Sequence, residues 1–289
     1  MRALTGLKGP DFLDLEKRFA RVLAAQAAQQ TRAGQPRGRA AGAGPKGALP
    51  GVRQQLFFML FYLKAYPTQE VMGQFFGLSQ PQVCARVGQW LPLLQTLMRA
   101  ELPARHGRDL PEVFRRLPEV SEVLLDGTER PIARPQHKGR RDRHYRGRRK
   151  RTTVKNVLGT ADGWVVLLTP TVAGRRHDKA EADRARVRLG PTVRVLADSG
   201  FQGYEAGAAP VCTPRRKPPG RPLHWRHRQA NRQLARARVP VEHVLASIKR
   251  LGILRQPLRA RRPTLADEVM LIGCGLHNYR QARQAAAQN

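Results

Sequence analysis

The spacing of apolar residues changes from helical to extended between residues 101 and 119, and that change limits the architectures the chain can adopt. From residue 54 to residue 101 apolar residues recur at helical spacing, whereas after residue 119 they form short extended runs. SEVLLDGTERPI (121–132) predicts a buried strand, and TVKNVLGTADGWVVLLTP (153–170) predicts two strands joined by a hairpin at Asp162-Gly163. A helical segment, KAEADRARVRLG, and a further strand, VRVLAD, follow. This order predicts the α/β class, with a mixed sheet flanked by helices and preceded by an all-helical unit.

The charge balance indicates a polyanionic partner. Lysine and arginine number 53 against 21 aspartate and glutamate, which gives a net charge of +32. A membrane surface is also anionic, but the longest apolar run, Leu56–Leu63, is far shorter than the roughly 20 residues that cross a bilayer. Charged residues occupy the N-terminus where a signal peptide would be apolar. We therefore expect a cytoplasmic, nucleoid-associated protein that binds double-stranded DNA and no membrane.

Composition divides the chain into three predicted parts. Residues 1–51 combine an amphipathic helix with a basic linker, because nine of the eighteen residues from Gly34 to Gly51 are Gly or Pro. Within this linker PRGRA (36–40) suits an A·T-rich minor groove, although a solvated linker is the simpler interpretation. Residues 52–102 predict a helix-turn-helix domain, and residues 119–282 predict the α/β domain.

The helix-turn-helix prediction comes from TQEVMGQFFGLSQPQVCARVGQWL (68–91). Gly77 suits a left-handed helix end, and Ser79 with Gln82 has the spacing of a capping box at the start of the next helix. An ordinary helical hairpin is the alternative, but the net charge favours a DNA-binding unit. The second helix would turn Val83 and Val87 inward. Its outer face would present Gln80, Gln82 and Arg86 to base edges in the major groove.

Three carboxylates are the candidates for catalysis. Two predicted strands end on aspartates, Asp126 and Asp198, while Glu242 lies within the cationic stretch RARVPVEHVLASIKR. Taken singly, the aspartates are equally explained as turn residues and Glu242 as a first-turn carboxylate that faces the helix dipole. If the three converge, oxygen ligands alone favour Mg²⁺ or Mn²⁺. Two such ions about 4 Å apart stabilise the attacking and leaving oxygens of a phosphoryl displacement.

The surroundings of Glu242 support a phosphate site. Lys249 lies two turns later on the same helical face, and Arg238 lies four residues before. Pro240 predicts a break, with a new helix starting near it.

Other metal sites are not favoured. His224 and His227 lack the further close ligands that zinc requires. Cys84, Cys212 and Cys274 lie far apart and in no CxxC pairing, so we expect reduced thiols.

Five stretches occur in an order that is specific in combination: LLDGTERPI, YRGRRKRTTVKNVLGTADGWVVLLTP, GRRHD, VLADSGFQGY and RARVPVEHVLASIKRLGILR. In them the chain resembles bacterial insertion-sequence transposases of the DDE superfamily, notably the insertion-sequence-five group and its Harbinger-like relatives, over residues 52 to 280. The resemblance implies that residues 119–282 form a ribonuclease H-like catalytic domain that cuts and joins DNA with Mg²⁺.

The resemblance also implies roles for single residues. The family's two aspartates and its glutamate fall on Asp126, Asp198 and Glu242. Arg238 and Lys249 match the signature around the glutamate, but the position of its tyrosine is Ala235, which puts any contact made by that tyrosine in doubt. His177-Asp178 matches a His-Asp pair whose role the sequence does not reveal; Asp178 is the main alternative for the second metal carboxylate.

The expected function is therefore that of a DNA transposase. It would bind terminal inverted repeats, act as a homodimer in the DNA complex, and use two Mg²⁺ or Mn²⁺ ions for strand cleavage and transfer. The alternatives are a silent or domesticated DNA-binding regulator and a structure-specific nuclease. The RGRRKR run (146–151) would position the strands or form a solvated basic loop. The residues expected to contact DNA are Gln80, Gln82, Arg86, Arg146, Arg148, Arg149, Lys150, Lys155, Arg238 and Lys249.

Overall fold

The structure is a computed structural model that describes residues 1–29, 48–102, 104–105, 109–116, 119–147, 150–259, 262 and 264–288. Most of the predicted linker, including Pro36–Ala40, lies outside these ranges, as do Arg148 and Arg149. Within them, no helix combines the length and the apolar character that crossing a membrane requires.

The described residues of the N-terminal region form the helices α1 (Arg2–Thr5), α2 (Gly9–Gln29), α3 (Val52–Ala65), α4 (Gln69–Phe76) and α5 (Gln80–Ala100). The amphipathic stripe of α2 is buried, with Phe12, Leu15 and Phe19 in one apolar core with α3 and α5. The N-terminal helix therefore packs as part of the helical region.

The turn between α4 and α5 has the predicted helix-turn-helix chemistry. Gly77 ends α4 in the left-handed conformation with φ of 62°, and the Leu78 amide donates to the Gly73 carbonyl at 3.0 Å. The Ser79 amide donates to Gln82 Oε1 at 2.9 Å, which forms the capping box. Because the inner face of α5 is buried through Val83 and Val87, its outer face is left for a partner.

The second region is built on a mixed sheet. Its strands are β1 (Glu122–Pro131), β2 (Tyr145–Arg146), β3 (Arg151–Ala161), β4 (Trp164–Leu168), β5 (Val172–Ala173), β6 (Arg194–Ala197) and β7 (Val211–Cys212). The order is β2-β3-β1-β6-β7, and β4 and β5 also pair with β3. β6 is parallel to both β1 and β7, whereas the other pairs are antiparallel. The predicted mixed sheet and the hairpin at Asp162-Gly163 are confirmed.

Six helices accompany the sheet: α6 (Leu110–Arg116), α7 (Lys138–His144), α8 (Asp178–Arg184), α9 (Trp225–Ile248), α10 (Gly252–Arg255) and α11 (Leu265–Ala285). Alternation along β1 sends Leu125 into the apolar cluster that contains Ala182 of α8. Leu124 faces the other way and, with Leu196 of β6, packs against Val241 of α9. The sheet therefore has an α8 face and an α9 face.

One prediction about α9 is wrong. The helix runs unbroken from Trp225 to Ile248 with Pro240 inside it. Pro240 is exposed, and so is Arg236, whose carbonyl loses its helical partner and is left on the solvent side. Burial of Val241 and Val244 on the other side holds the helix on the sheet.

Candidate active site

Asp126 and Asp198 lie side by side where the parallel pairing of β1 with β6 ends. β6 ends before Asp198 as predicted, but the predicted end of the first strand at Asp126 is wrong, because β1 continues to Pro131. Leu125 of β1 pairs with Ala197 of β6, so the two aspartates follow at the next position of the register. Asp126 shares the face of Leu124, and Asp198 shares that of Leu196, because side chains alternate along a strand. Both carboxylates therefore belong to the α9 face.

The two carboxylates differ in their surroundings. Asp126 is mostly buried, and this burial, followed by the charges of Asp198 and Asp178, raises its pKa to about 6. The guanidinium of Arg238 opposes the rise, since its Nη2 donates to Asp126 Oδ1 at 3.3 Å. Asp198 Oδ1 accepts from the Gly200 amide at 2.8 Å and caps the short 3₁₀ turn Ser199–Phe201. Asp126 and Asp198 thus lie close together, and the guanidinium of Arg238 contacts Asp126.

Glu242 lies on α9, the helix that packs on this face. It lies one helical turn after Arg238, is exposed, and forms no hydrogen bond or ion pair with any residue in the described ranges. Lys249 lies two turns farther on, at the C-cap of α9. Across the described residues, no three or more His, Cys, Asp and Glu side chains are arranged to hold a metal ion. The structure therefore brings Asp126 and Asp198 together and leaves Glu242 free on the helix that covers them.

Asp178 lies on the α8 face, behind the aspartates. Its Oδ1 is 3.0 Å from Nζ of Lys155, a β3 lysine whose side chain is 1% exposed. Lys155 also lies 3.5 Å from Glu129 Oε1 and donates to the Arg176 carbonyl at 3.0 Å. The predicted DNA contact through Lys155 is corrected here, because a buried ammonium with three oxygen partners does not face a phosphate. Lys155 pairs with Glu129 across the sheet.

Other predicted DNA contacts occupy varied positions. Gln80 and Gln82 are exposed on α5, but Gln82 uses its Oε1 in the capping box. Arg86 is half-buried and stacks over the Trp90 ring at 5.6 Å.

Arg146 of the basic run and His224 each have a defined partner. Arg146 pairs with Glu129 Oε1 at 3.1 Å, and Lys150 is exposed. His224 Nδ1 accepts from the Arg226 amide at 3.3 Å, so this histidine caps α9.

A basic surface on α9 was missed. Arg228, Arg232 and Arg236 are exposed at four-residue spacing, so they form one stripe along the first half of the helix. The signal was present in the sequence, because residues 214–238 contain no acidic residue. We call these three residues the α9 arginine stripe.

Both halves of the chain match family models. The model described as DDE superfamily endonuclease matches residues 125–278. The chain belongs to the DDE superfamily endonucleases. The model described as helix-turn-helix of DDE superfamily endonuclease matches residues 48–100, which contain α3, α4 and α5. The resemblance found in the sequence is thereby confirmed.

A curated relative extends the similarity over most of the chain. The probable transposase for insertion sequence element IS702 from Microchaete diplosiphon is 28% identical over 236 residues, which cover 81% of this chain and 82% of that protein. No solved structure matches the chain. Asp126, Asp198 and Glu242 all lie inside the segment matched by the endonuclease model.

Proposed function

We propose that this DDE superfamily endonuclease is the transposase of an insertion sequence, with a ribonuclease H-like catalytic domain. The observation that carries the proposal is the juxtaposition of Asp126 and Asp198, which directly follow the last paired residues of parallel β1 and β6, beneath the helix that bears Glu242. The family match and the likeness to a probable transposase support the same reading. Its substrates would be terminal inverted repeats and target DNA, which places its action on the nucleoid.

The carboxylates fit Mg²⁺ or Mn²⁺. Both ions prefer oxygen ligands, and Asp126 and Asp198 supply oxygens from one side of the sheet. The raised pKa of Asp126 reflects crowded, desolvated negative charge that a divalent cation offsets. We assign Asp126, Asp198 and Glu242 as the residues that hold a pair of ions. Such ions supply Lewis-acid stabilisation of the phosphoryl oxygens when bound.

Arg238 would couple the acids to the DNA backbone. Its Nη2 contacts Asp126, while its buried Nε has no hydrogen-bond partner among the described residues. A buried donor without a partner is costly, and a phosphate oxygen would satisfy it. Arg238 therefore holds Asp126 in the free protein and positions a phosphate beside the acids in the DNA complex.

The duplex would be held by two further surfaces. The outer face of α5, with Gln80 and Arg86, is suited to the major groove. The α9 arginine stripe runs along the first half of the helix that covers the acids, with about 6 Å of helix rise between successive arginines, and offers charges to a backbone. Because two element ends are joined in transposition, we infer a homodimer in the DNA complex.

Cleavage of end-bearing DNA tests the proposal. Purified protein with Mg²⁺ and a duplex that carries the element's terminal repeat is expected to nick at the repeat boundary. Asp198→Asn and Glu242→Gln are expected to reduce nicking at least about 1000-fold and to retain DNA binding. Asp183→Asn, an exposed acid on α8, is the matched control and is expected to cleave normally.

Two results would contradict the assignment. Tight repeat binding with no nicking by the wild-type protein would indicate a regulator. Cleavage that ignores the repeat sequence would indicate a structure-specific nuclease.

A further inference from the structure

Asp178 approaches the site from the other side of the sheet. It is the first residue of α8, and α8 packs on the face opposite α9. Its charge nevertheless reaches Asp126, where it contributes to the raised pKa. Asp178 is therefore close to Asp126 and Asp198, although its helix packs on the opposite face of the sheet.

Two glycines make room for this carboxylate. A Cβ at Gly127 would overlap Oδ1 and Cγ of Asp178. A Cβ at Gly200 would lie 2.8 Å from Asp178 Oδ2 and 2.9 Å from Asp198 Oδ1. Gly127 directly follows Asp126, and Gly200 lies two residues after Asp198. The Asp178 carboxylate thus occupies a slot against the backbone that carries both aspartates.

Lys155 fixes Asp178 in that slot. The 3.0 Å contact from Nζ to Oδ1 is an ion pair without the alignment of a hydrogen bond, and it is buried on the lysine side. Lys155 belongs to β3, which pairs with β1. Asp178 is consequently tied to β3 by charge, and it lies against Gly127 of β1 and against Gly200 in the turn that follows β6.

Stability alone does not account for these charges. Buried ion pairs lose solvation on burial, and apolar residues of similar volume stabilise such positions equally well or better. A charged pair does fix one geometry, because the carboxylate must meet the ammonium. The pair lies behind the two site aspartates, so its fixed geometry can act on their positions.

We propose that Asp178, held by Lys155, is a positioning residue that sets the spacing of Asp126 and Asp198 from behind the sheet. The inference rests on the proposed role of the two aspartates as ligands of a divalent cation. It assigns a role to the aspartate of the His177-Asp178 pair and explains Gly127 after Asp126 and Gly200 two residues after Asp198.

Manganese affinity of the full-length protein tests the positioning role. Asp178→Ala is expected to bind Mn²⁺ at least about 10-fold more weakly than the wild type, the effect typical of residues that orient metal ligands. Asp178→Asn keeps the shape and is expected to recover part of the loss. Asp183→Ala, on the same helix but exposed, is the control and is expected to bind normally. Wild-type affinity in a folded Asp178→Ala protein would overturn the inference.

A double-mutant cycle tests the slot without any metal. Gly127→Ala alone is expected to lower the midpoint of thermal unfolding by about 5 °C or more, since its new Cβ overlaps Asp178. In the Asp178→Ala background the overlapping atoms are gone, and the same substitution is expected to cost less than half as much. Equal costs in both backgrounds would overturn the inference. A wild-type protein that binds no Mn²⁺ would instead contradict the proposed metal site, and the cycle would still decide whether Asp178 occupies the slot.

Discussion

The two faces of the sheet differ in how they pair their carboxylates. On the α9 face Asp126 and Asp198 stand together, and a single guanidinium contacts Asp126. On the α8 face Asp178 and Glu129 share the buried ammonium of Lys155. The α9 face keeps negative charge that a cation can offset, whereas the acids of the α8 face are already paired with the cations Lys155 and Arg146. We infer that a reactive surface can be held in place by a rigid ionic layer behind it.

The largest expected effect comes from removing the cation of the α8 face. Lys155→Met leaves two carboxylates without their ammonium, so we expect a loss of about 3–5 kcal/mol in the free energy of unfolding. Urea denaturation of the full chain measures it. An unchanged midpoint would show that the α8 face does not depend on this ion pair.

Removing a charge from the α9 face is expected to change the free energy of unfolding less than Lys155→Met does, and to raise it. The folded-state pKa of Asp126, about 6, lies above the ordinary 3.8, so the folded state binds the proton more tightly. The contribution of Asp126 to the free energy of unfolding of the metal-free wild type should therefore fall by about 2 kcal/mol as pH rises from 4 to 7. Asp126→Asn should lack this fall and be the more stable protein above pH 6.

Denaturation in EDTA at several pH values measures the difference. Parallel pH profiles of the wild type and Asp126→Asn would contradict it.

Next in size is the effect of the α9 arginine stripe on DNA affinity. Changing Arg228, Arg232 and Arg236 to Gln should weaken binding roughly 10-fold or more at low salt. The slope of log affinity against log salt should fall by about 3, because three phosphate contacts are lost. Arg186→Gln with Arg188→Gln, exposed on the α8 side, is the control. Equal losses in both variants would show that the two faces do not differ toward DNA.

The smallest expected effect sharpens the contrast between buried and exposed pairs. Lys179 pairs with Asp183 at 2.9 Å on the surface of α8, and both side chains are at least 40% exposed. Lys179→Gln should change the free energy of unfolding by less than about 0.5 kcal/mol. A loss comparable to that of Lys155→Met would show that burial does not explain the difference in stability expected between the two ion pairs.

The parts of the site that the sequence predicted are those with local signals. Two apolar runs that each lead to an aspartate predicted Asp126 and Asp198 as neighbours; β6 ends before Asp198 as predicted, whereas β1 continues through Asp126 to Pro131. Turn chemistry likewise predicted the helix-turn-helix boundaries.

The parts that it missed depend on long-range packing. The continuity of α9 through Pro240 follows from burial of Val241 and Val244, which local propensity does not contain. The burial of Lys155 depends on its pairing partner in β1 and on α8, and no spacing rule along the chain reveals either contact.

The central claim is that three distant acids share one metal site, and anomalous diffraction tests it most directly. Crystals of the protein with terminal-repeat DNA and Mn²⁺ would be measured near the manganese absorption edge. The account predicts an anomalous peak about 2.2 Å from carboxylate oxygens of Asp126 and Asp198, with Glu242 at the same cluster of ions. Manganese bound elsewhere, or Glu242 turned away from an occupied Asp126–Asp198 site, would contradict it.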